Sequence, residues 1–114
     1  MAATIITTAI PSSAYTASGT VDIGAIPDMA AELAVYINLT ALTGTSPAVT
    51  VTYQSSPDGV TFWDHTAGSS MTAVSKTLIK VPNVIGKYGR LSYAITGTTP
   101  SITFSAVVEA KRLS

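Results

Sequence analysis

Residues able to carry out acid–base or nucleophilic chemistry are few in this chain. Its 114 residues include one histidine, six Asp and Glu together, six Lys and Arg together, and no cysteine. His65 follows Asp64 and lies near Asp58, so a small acidic site could be drawn from these three. A polar strand end after a turn explains the same residues more simply. A single histidine allows no His-pair metal site, and the lack of cysteine removes thiolate ligands and a thiol nucleophile. No G-x-S-x-G elbow is present to place a serine on a strained turn, and no glycine-rich phosphate loop occurs. Nothing marks any pair of the six acids for glycoside hydrolysis. The expectation is a protein that is not an enzyme, with no catalytic residue, no cofactor and no metal.

The most distinctive local run is Ser56-Pro57-Asp58-Gly59-Val60-Thr61-Phe62-Trp63. It approaches the aspartate-box turn of sialidase-type propellers, Ser-x-Asp-x-Gly-x-Thr-Trp, but lacks one residue before the glycine. It also occurs once where a propeller needs several copies. A Pro-Asp-Gly turn followed by anchoring aromatics accounts for it. Trp63 is expected in the core. As the alternative, with Tyr53 or Tyr93 it could stack on a sugar ring.

The elements that must carry these residues are strands. Thr, Ser, Val and Ile are frequent, and β propensity dominates. Strict alternation appears in several runs. Tyr15, Ala17, Val21 and Ile23 form one face; Leu33, Val35, Ile37, Leu39 and Ala41 another; then Val49, Val51 and Tyr53; Leu91, Tyr93 and Ile95; and Ile102, Phe104, Ala106 and Val108. Shorter strands are predicted at residues 62–66, 71–74 and 77–81. Residues 27–33 could form one helical turn capped by Asp28, with Glu32 just inside. Turn residues recur about every ten positions, the spacing of a sandwich or barrel. The fold expected is all-β: a single antiparallel β-sandwich, jelly-roll-like or Ig-like, over residues 14–114. Residues 1–13 read as an extended N-terminal arm. Ile5, Ile6 and Ile10 fall on both of its faces, as suits a segment that packs outside its own domain.

One connector appears twice. Leu42-Thr43-Gly44-Thr45-Ser46-Pro47 and Ile95-Thr96-Gly97-Thr98-Thr99-Pro100 align at a constant offset. Gly44 and Gly97 should supply positive φ, and Pro47 and Pro100 should open the outgoing strands. The local reading makes both loops hairpin tips, pairing residues 33–42 with 48–55 and 91–96 with 102–111.

Formal charge is zero and charged residues make up 11% of the chain. Nucleic-acid binding needs clustered Lys and Arg, which are absent apart from Lys111-Arg112. Low charge favours association with other protein surfaces. The first nineteen residues hold no basic residue and no sustained apolar run, so neither a secretory signal nor a membrane span is expected there, and the chain should be made in a cytosol.

The segment ELAVYINLTALTGTSPAVTVTYQSSPDGVTFWDHT, with YGRLSYAITGTTPSITFSAVVEAK, resembles small virion proteins of tailed bacteriophages, including capsid decoration (cement) proteins. The resemblance covers about residues 32–111. It implies a sandwich or jelly-roll-like module on the capsid exterior, made in the host bacterial cytoplasm. Its partners would be the major capsid protein and copies of itself, often as a homotrimer, without nucleic acid or membrane. Such proteins commonly grip the shell with an N-terminal arm, which singles out Ile5, Ile6 and Ile10 as partner-binding residues; Trp63 joins them in the reading in which it lies on the surface. A carbohydrate-binding or host-adhesion module of a head fibre or tail, with a glycan as partner, is the alternative.

Overall fold

The computed structural model describes residues 2–25, 30–82 and 87–112. Among these residues six strands follow one another: β1 (Ala2–Tyr15), β2 (Gly19–Ala25), β3 (Ala30–Ser56), β4 (Trp63–Ala67), β5 (Ser75–Val81) and β6 (Tyr88–Arg112). No helix occurs among the described residues. Residues 30–33 of the suggested helical turn are strand, and residues 27–29 of it lie outside the described part.

β3 and β6 cannot be straight. At about 3.3 Å per residue, the 27 residues of β3 would reach ~90 Å, yet the longest dimension of the molecule is 46 Å. Both strands bend, and they bend together. They pair antiparallel along their whole length, from Ala30↔Arg112 to Ser56↔Tyr88. β1 borders the second half of β6, and β2 borders its first half. β5 borders the first half of β3, and β4 its second half.

Counting the bent strands as two halves each gives two four-stranded sheets. One has the order β1, second half of β6, first half of β3, β5. The other has the order β2, first half of β6, second half of β3, β4. This is the jelly-roll arrangement, in which one long antiparallel ribbon folds over so that strands pass from sheet to sheet at corners. Of the two sandwich types expected from the sequence, the connectivity is that of the jelly roll.

Alternation buries one face of each sheet. Leu33, Val35, Ile37 and Leu39 from one half of β3 join Val49, Val51 and Tyr53 from the other, with Ile102, Phe104, Ala106 and Val108 of β6, in one core. Phe104 is its centre: the rings of Tyr15 and Tyr93 lie 4.9 and 5.6 Å from it. Ala41 is exposed, off the face assigned to it, because β3 holds one extra residue between Leu39 and Ala41 opposite Phe104 and Thr103. That bulge shifts the phase and turns Leu42 toward the core.

The twin connectors are the corners of the ribbon, not hairpin tips. Residues 33–42 pair with residues 102–110, and residues 48–56 with 88–96. The two connectors face each other, with Thr45 opposite Thr98. Their backbones match at the offset seen in the sequence: φ is +108° at Gly44 and +120° at Gly97, +51° at Ser46 and +48° at Thr99. Each glycine lies against the other connector. A Cβ on Gly44 would come within 2.6 Å of the Thr99 carbonyl oxygen, and one on Gly97 within 2.8 Å of that of Ser46. Positive φ at both glycines is as expected; the pairing is corrected.

The N-terminal segment also differs from expectation. Residues 2–15 are not an arm reaching out of the domain but a strand of it, paired with β6 from Ala2↔Arg112 to Tyr15↔Ile102. Three register shifts interrupt the ladder, and one of them, between Thr8 and Ile10, resets the alternation so that Ile10 enters the core. Pro11 costs no ladder bond on such an outer strand. Of the shorter predicted strands, 62–66 and 77–81 correspond to β4 and β5. Residues 71–74 do not: only Met71 pairs, through a single bridge to Val49.

Candidate functional site

Asp58, Asp64 and His65 do not form a site. The Ser56 hydroxyl accepts hydrogen bonds from the Asp58 and Gly59 N–H groups and donates to the Asp58 carboxylate at 3.0 Å. That carboxylate also accepts from the N–H groups of Val60 and Thr61 at 2.9 and 3.0 Å. These two backbone bonds, reinforced by Ser56, hold Asp58 below the usual carboxylate range. Asp64 is engaged by the Gln54 amide at 2.7 Å, and Gln54 in turn accepts from the Arg90 guanidinium at 2.6 Å. The His65 ring meets the Thr66 hydroxyl and the edge of Tyr53. The polar residues of the run are spent on shaping a turn, and no metal-holding acidic or histidine cluster occurs among the described residues.

Trp63 is not in the core. It opens β4 opposite Ser55 and is 56% exposed, close to Val60 at 81%. Phe62 beside it is covered by Arg90, whose guanidinium carbon sits 4.1 Å from the ring centre. The aromatic partners suggested for Trp63 are elsewhere: Tyr53 is fully buried and Tyr93 packs on Tyr15 and Phe104. Neither tyrosine therefore extends an exposed ring surface from Trp63. Ile10 is fully buried in its own core, so it has no surface to offer a partner. Ile5 and Ile6 stand in β1 opposite Ala110 and Glu109; their side chains lie outside the described part.

An apolar surface appears where the sequence reading placed none. On the outer face of the β1–β6–β3–β5 sheet, Tyr36 is 46% and Leu78 48% exposed. Leu78 and Val107 flank Tyr36 directly on either side. The next row toward the chain ends is Lys80, Ala34 and Glu109, and the row beyond Tyr36 is Lys76, Asn38 and Ser105. The Tyr36 hydroxyl donates to Glu109 at 3.0 Å, and this bond to the carboxylate raises the phenol's pKa. Hollows of about 230 and 400 Å³ flank Tyr36 and Leu78. The signal was present in the sequence: Tyr36 occupies the polar phase of an otherwise strict alternation, and Val107 interrupts the next one.

The outer face of the other sheet is different in kind. It carries the polar row Asp22, Arg90, Gln54 and Asp64, with Thr20, Ser92 and Thr52 next to it. Side-chain hydrogen bonds along the row leave little apolar surface there.

Comparison with solved structures shows the same fold in proteins of distant sequence. The crystal structure of PirA is 14% identical with a TM-score of 0.56, over 88% of this chain and 93% of that one. A structure of Bacillus endospore appendages, described as disulfide-linked pili, is 18% identical with a TM-score of 0.52, over 100% and 93%. A chain of the T13 particle of infectious bursal disease virus is 17% identical with a TM-score of 0.54, over 95% of this chain and 30% of that one. At such identities the likeness is one of fold. No curated protein sequence matches the chain. Its family is nonetheless defined: residues 30–112, from the first paired residue of β3 to the end of β6, match the domain of unknown function DUF6385, and the chain belongs to that family.

Proposed function

We propose that this jelly roll does no chemistry of its own and works by adhering to a larger assembly, as a decoration (cement) protein on the exterior of a tailed-phage head. The observation that carries the reading is the outer sheet face with Tyr36, Leu78 and Val107, an apolar strip framed by charges on a chain that otherwise spends its polar residues on structure. Exposed apolar surface rimmed by polar groups is the usual mark of a protein-binding face. The resemblance to small virion proteins points to the major capsid protein as partner. Cementing then follows from linkage: a module that binds only the assembled lattice stabilises it by mass action, and bridging several subunits multiplies the effect. The disulfide linkage named for the endospore appendages is not open to this chain, which has no cysteine.

The test is the composition of purified particles. Mass spectrometry and immuno-electron microscopy are expected to find the protein on the head exterior, in copies stoichiometric with the major capsid protein. Particles without it should lose their genome at lower temperature. A protein absent from every particle fraction overturns the proposal. The exposure of Trp63 favours the glycan-binding alternative as a second reading, and a polysaccharide pull-down compared between wild type and Trp63→Ala distinguishes it.

A further inference from the structure

The outer face of the β1–β6–β3–β5 sheet matches itself. On either side of β3 the rows read Lys80–Ala34–Glu109, Leu78–Tyr36–Val107 and Lys76–Asn38–Ser105. A rotation by 180° about an axis along β3 exchanges the two sides while keeping each row. When a second copy is laid face to face in this way, each lysine at 80 meets a glutamate at 109, and each leucine at 78 meets a valine at 107. Tyr36 falls on the axis and meets its counterpart. Like charges in these three rows never oppose one another. One row further toward the chain ends, the exposed Glu32 of β3 meets its own counterpart on the axis, the single like-charge meeting among the described residues of the face. The reverse rotation, with the axis across the strands, has no such property: it sets Lys80 against Lys76 of the facing copy.

We propose that two copies of this chain associate through this face about a two-fold axis along β3, with Leu78 against the partner's Val107 and Lys80 paired with the partner's Glu109. Such an isologous contact closes at two, since one patch serves both subunits. Tyr36 is the central anchor, in the position where aromatic hot spots are found. Its hydrogen bond to Glu109 takes one carboxylate oxygen at 3.0 Å and leaves the other for the incoming lysine. The partner of stated chemistry is therefore a second copy, chosen by the two Lys80–Glu109 cross-pairs of one row and the apolar match of the row beside it. Three strands about 4.8 Å apart, over roughly eight residues at about 3.3 Å each, give a contact of only ~400 Å² per copy. That places the dimer among weak, reversible associations. Because this is also the face proposed above to meet the assembly, the dimer is the state of the free protein and must part before docking, and it is tested on the free protein alone.

Sedimentation velocity of the full chain over about 10–500 µM tests it, a range suited to a weak dimer. Wild type should pass from monomer to dimer, less readily at high salt. Lys80→Glu or Glu109→Lys alone should weaken the dimer about tenfold or more. The double variant, which restores both cross-pairs with reversed sense, should recover to within a few-fold of wild type. Leu78→Lys should leave a monomer throughout. All three positions point outward from the core, and circular dichroism checks that each variant is folded. The neutral pair Lys80→Gln and Glu109→Gln replaces any that is not. A monomer at every concentration, a trimer, a dimer indifferent to Leu78→Lys, or a double variant without recovery each overturns the proposal.

Discussion

Replacing Gly44 or Gly97 by alanine probes the corner where the ribbon folds over. Two costs add at each site. Their φ values of +108° and +120° lie outside even the left-handed helical region, where side-chain-bearing residues are strained by about 1–3 kcal/mol. A Cβ would also press on main-chain carbonyls: Thr99 at 2.6 Å and Thr98 at 2.9 Å for Gly44, Ser46 at 2.8 Å and Thr45 at 2.9 Å for Gly97. Backbone cannot step aside as a side chain can, and overpacking of this kind costs about 1–3 kcal/mol. The expected loss is about 3 kcal/mol per substitution, or about 12 °C in melting temperature for a domain of this size. Gly59→Ala is the internal control. Its φ is +79° and its nearest neighbour, the Tyr88 ring, is 3.4 Å away, so its loss should be clearly smaller. Because the glycines press on opposite connectors of one corner, opening it for the first relieves the second. The double variant should lose less than the sum of the singles by about 1 kcal/mol or more. Urea and thermal denaturation of the wild type and these four variants measure all of this. Corner variants no less stable than Gly59→Ala, or a strictly additive double variant, would refute the reciprocal packing.

Two further outcomes are expected. Ile10→Ala removes a fully buried side chain of β1 and should cost about 2–5 kcal/mol; a loss below about 0.5 kcal/mol in urea titration, the range of surface substitutions, would return the segment to a detached arm. Burial pushes the Tyr53 phenol up to about 12, and its hydroxyl has no hydrogen-bond partner among the described residues. In the unfolded chain it ionises near 10, so between about pH 10 and 12 the native state binds more protons than the unfolded state, and Tyr53 makes stability fall as pH rises. Tyr53→Phe should be at least as stable at neutral pH and lose less on going alkaline, as read by melting temperature against pH; a variant weaker at pH 7 by more than about 1 kcal/mol would mean that the hydroxyl is bonded.

The strands were legible because alternation is a local signal: Leu33, Val35, Ile37 and Leu39 declare their face without knowing their neighbours. Positive φ at Gly44 and Gly97 was legible for the same reason. What they connect was not. A Thr-Gly-Thr-x-Pro segment bends the chain in the same way whether the outgoing strand returns beside the incoming one or continues onto another sheet, and only pairing between residues far apart in sequence decides. Ile10 misled because a register shift in β1 reset its phase, which sequence alternation presumes constant. Trp63 misled because it is the first residue of the outer strand β4, which has a paired neighbour on one side only. The outer patch, by contrast, could be read in advance from Tyr36, a large ring standing where the alternation asks for a small polar residue.

β6 lies inside both sheets, between β1 or β2 on one side and β3 on the other. Until β6 is synthesised, β1 and β2 have no ladder to join, and each half of β3 is paired on one side only. A nascent chain must therefore wait until β6 has emerged before this domain can close. A chain cut short before β6 keeps β1 and β2 without their only ladder partner, so no partial jelly roll can form.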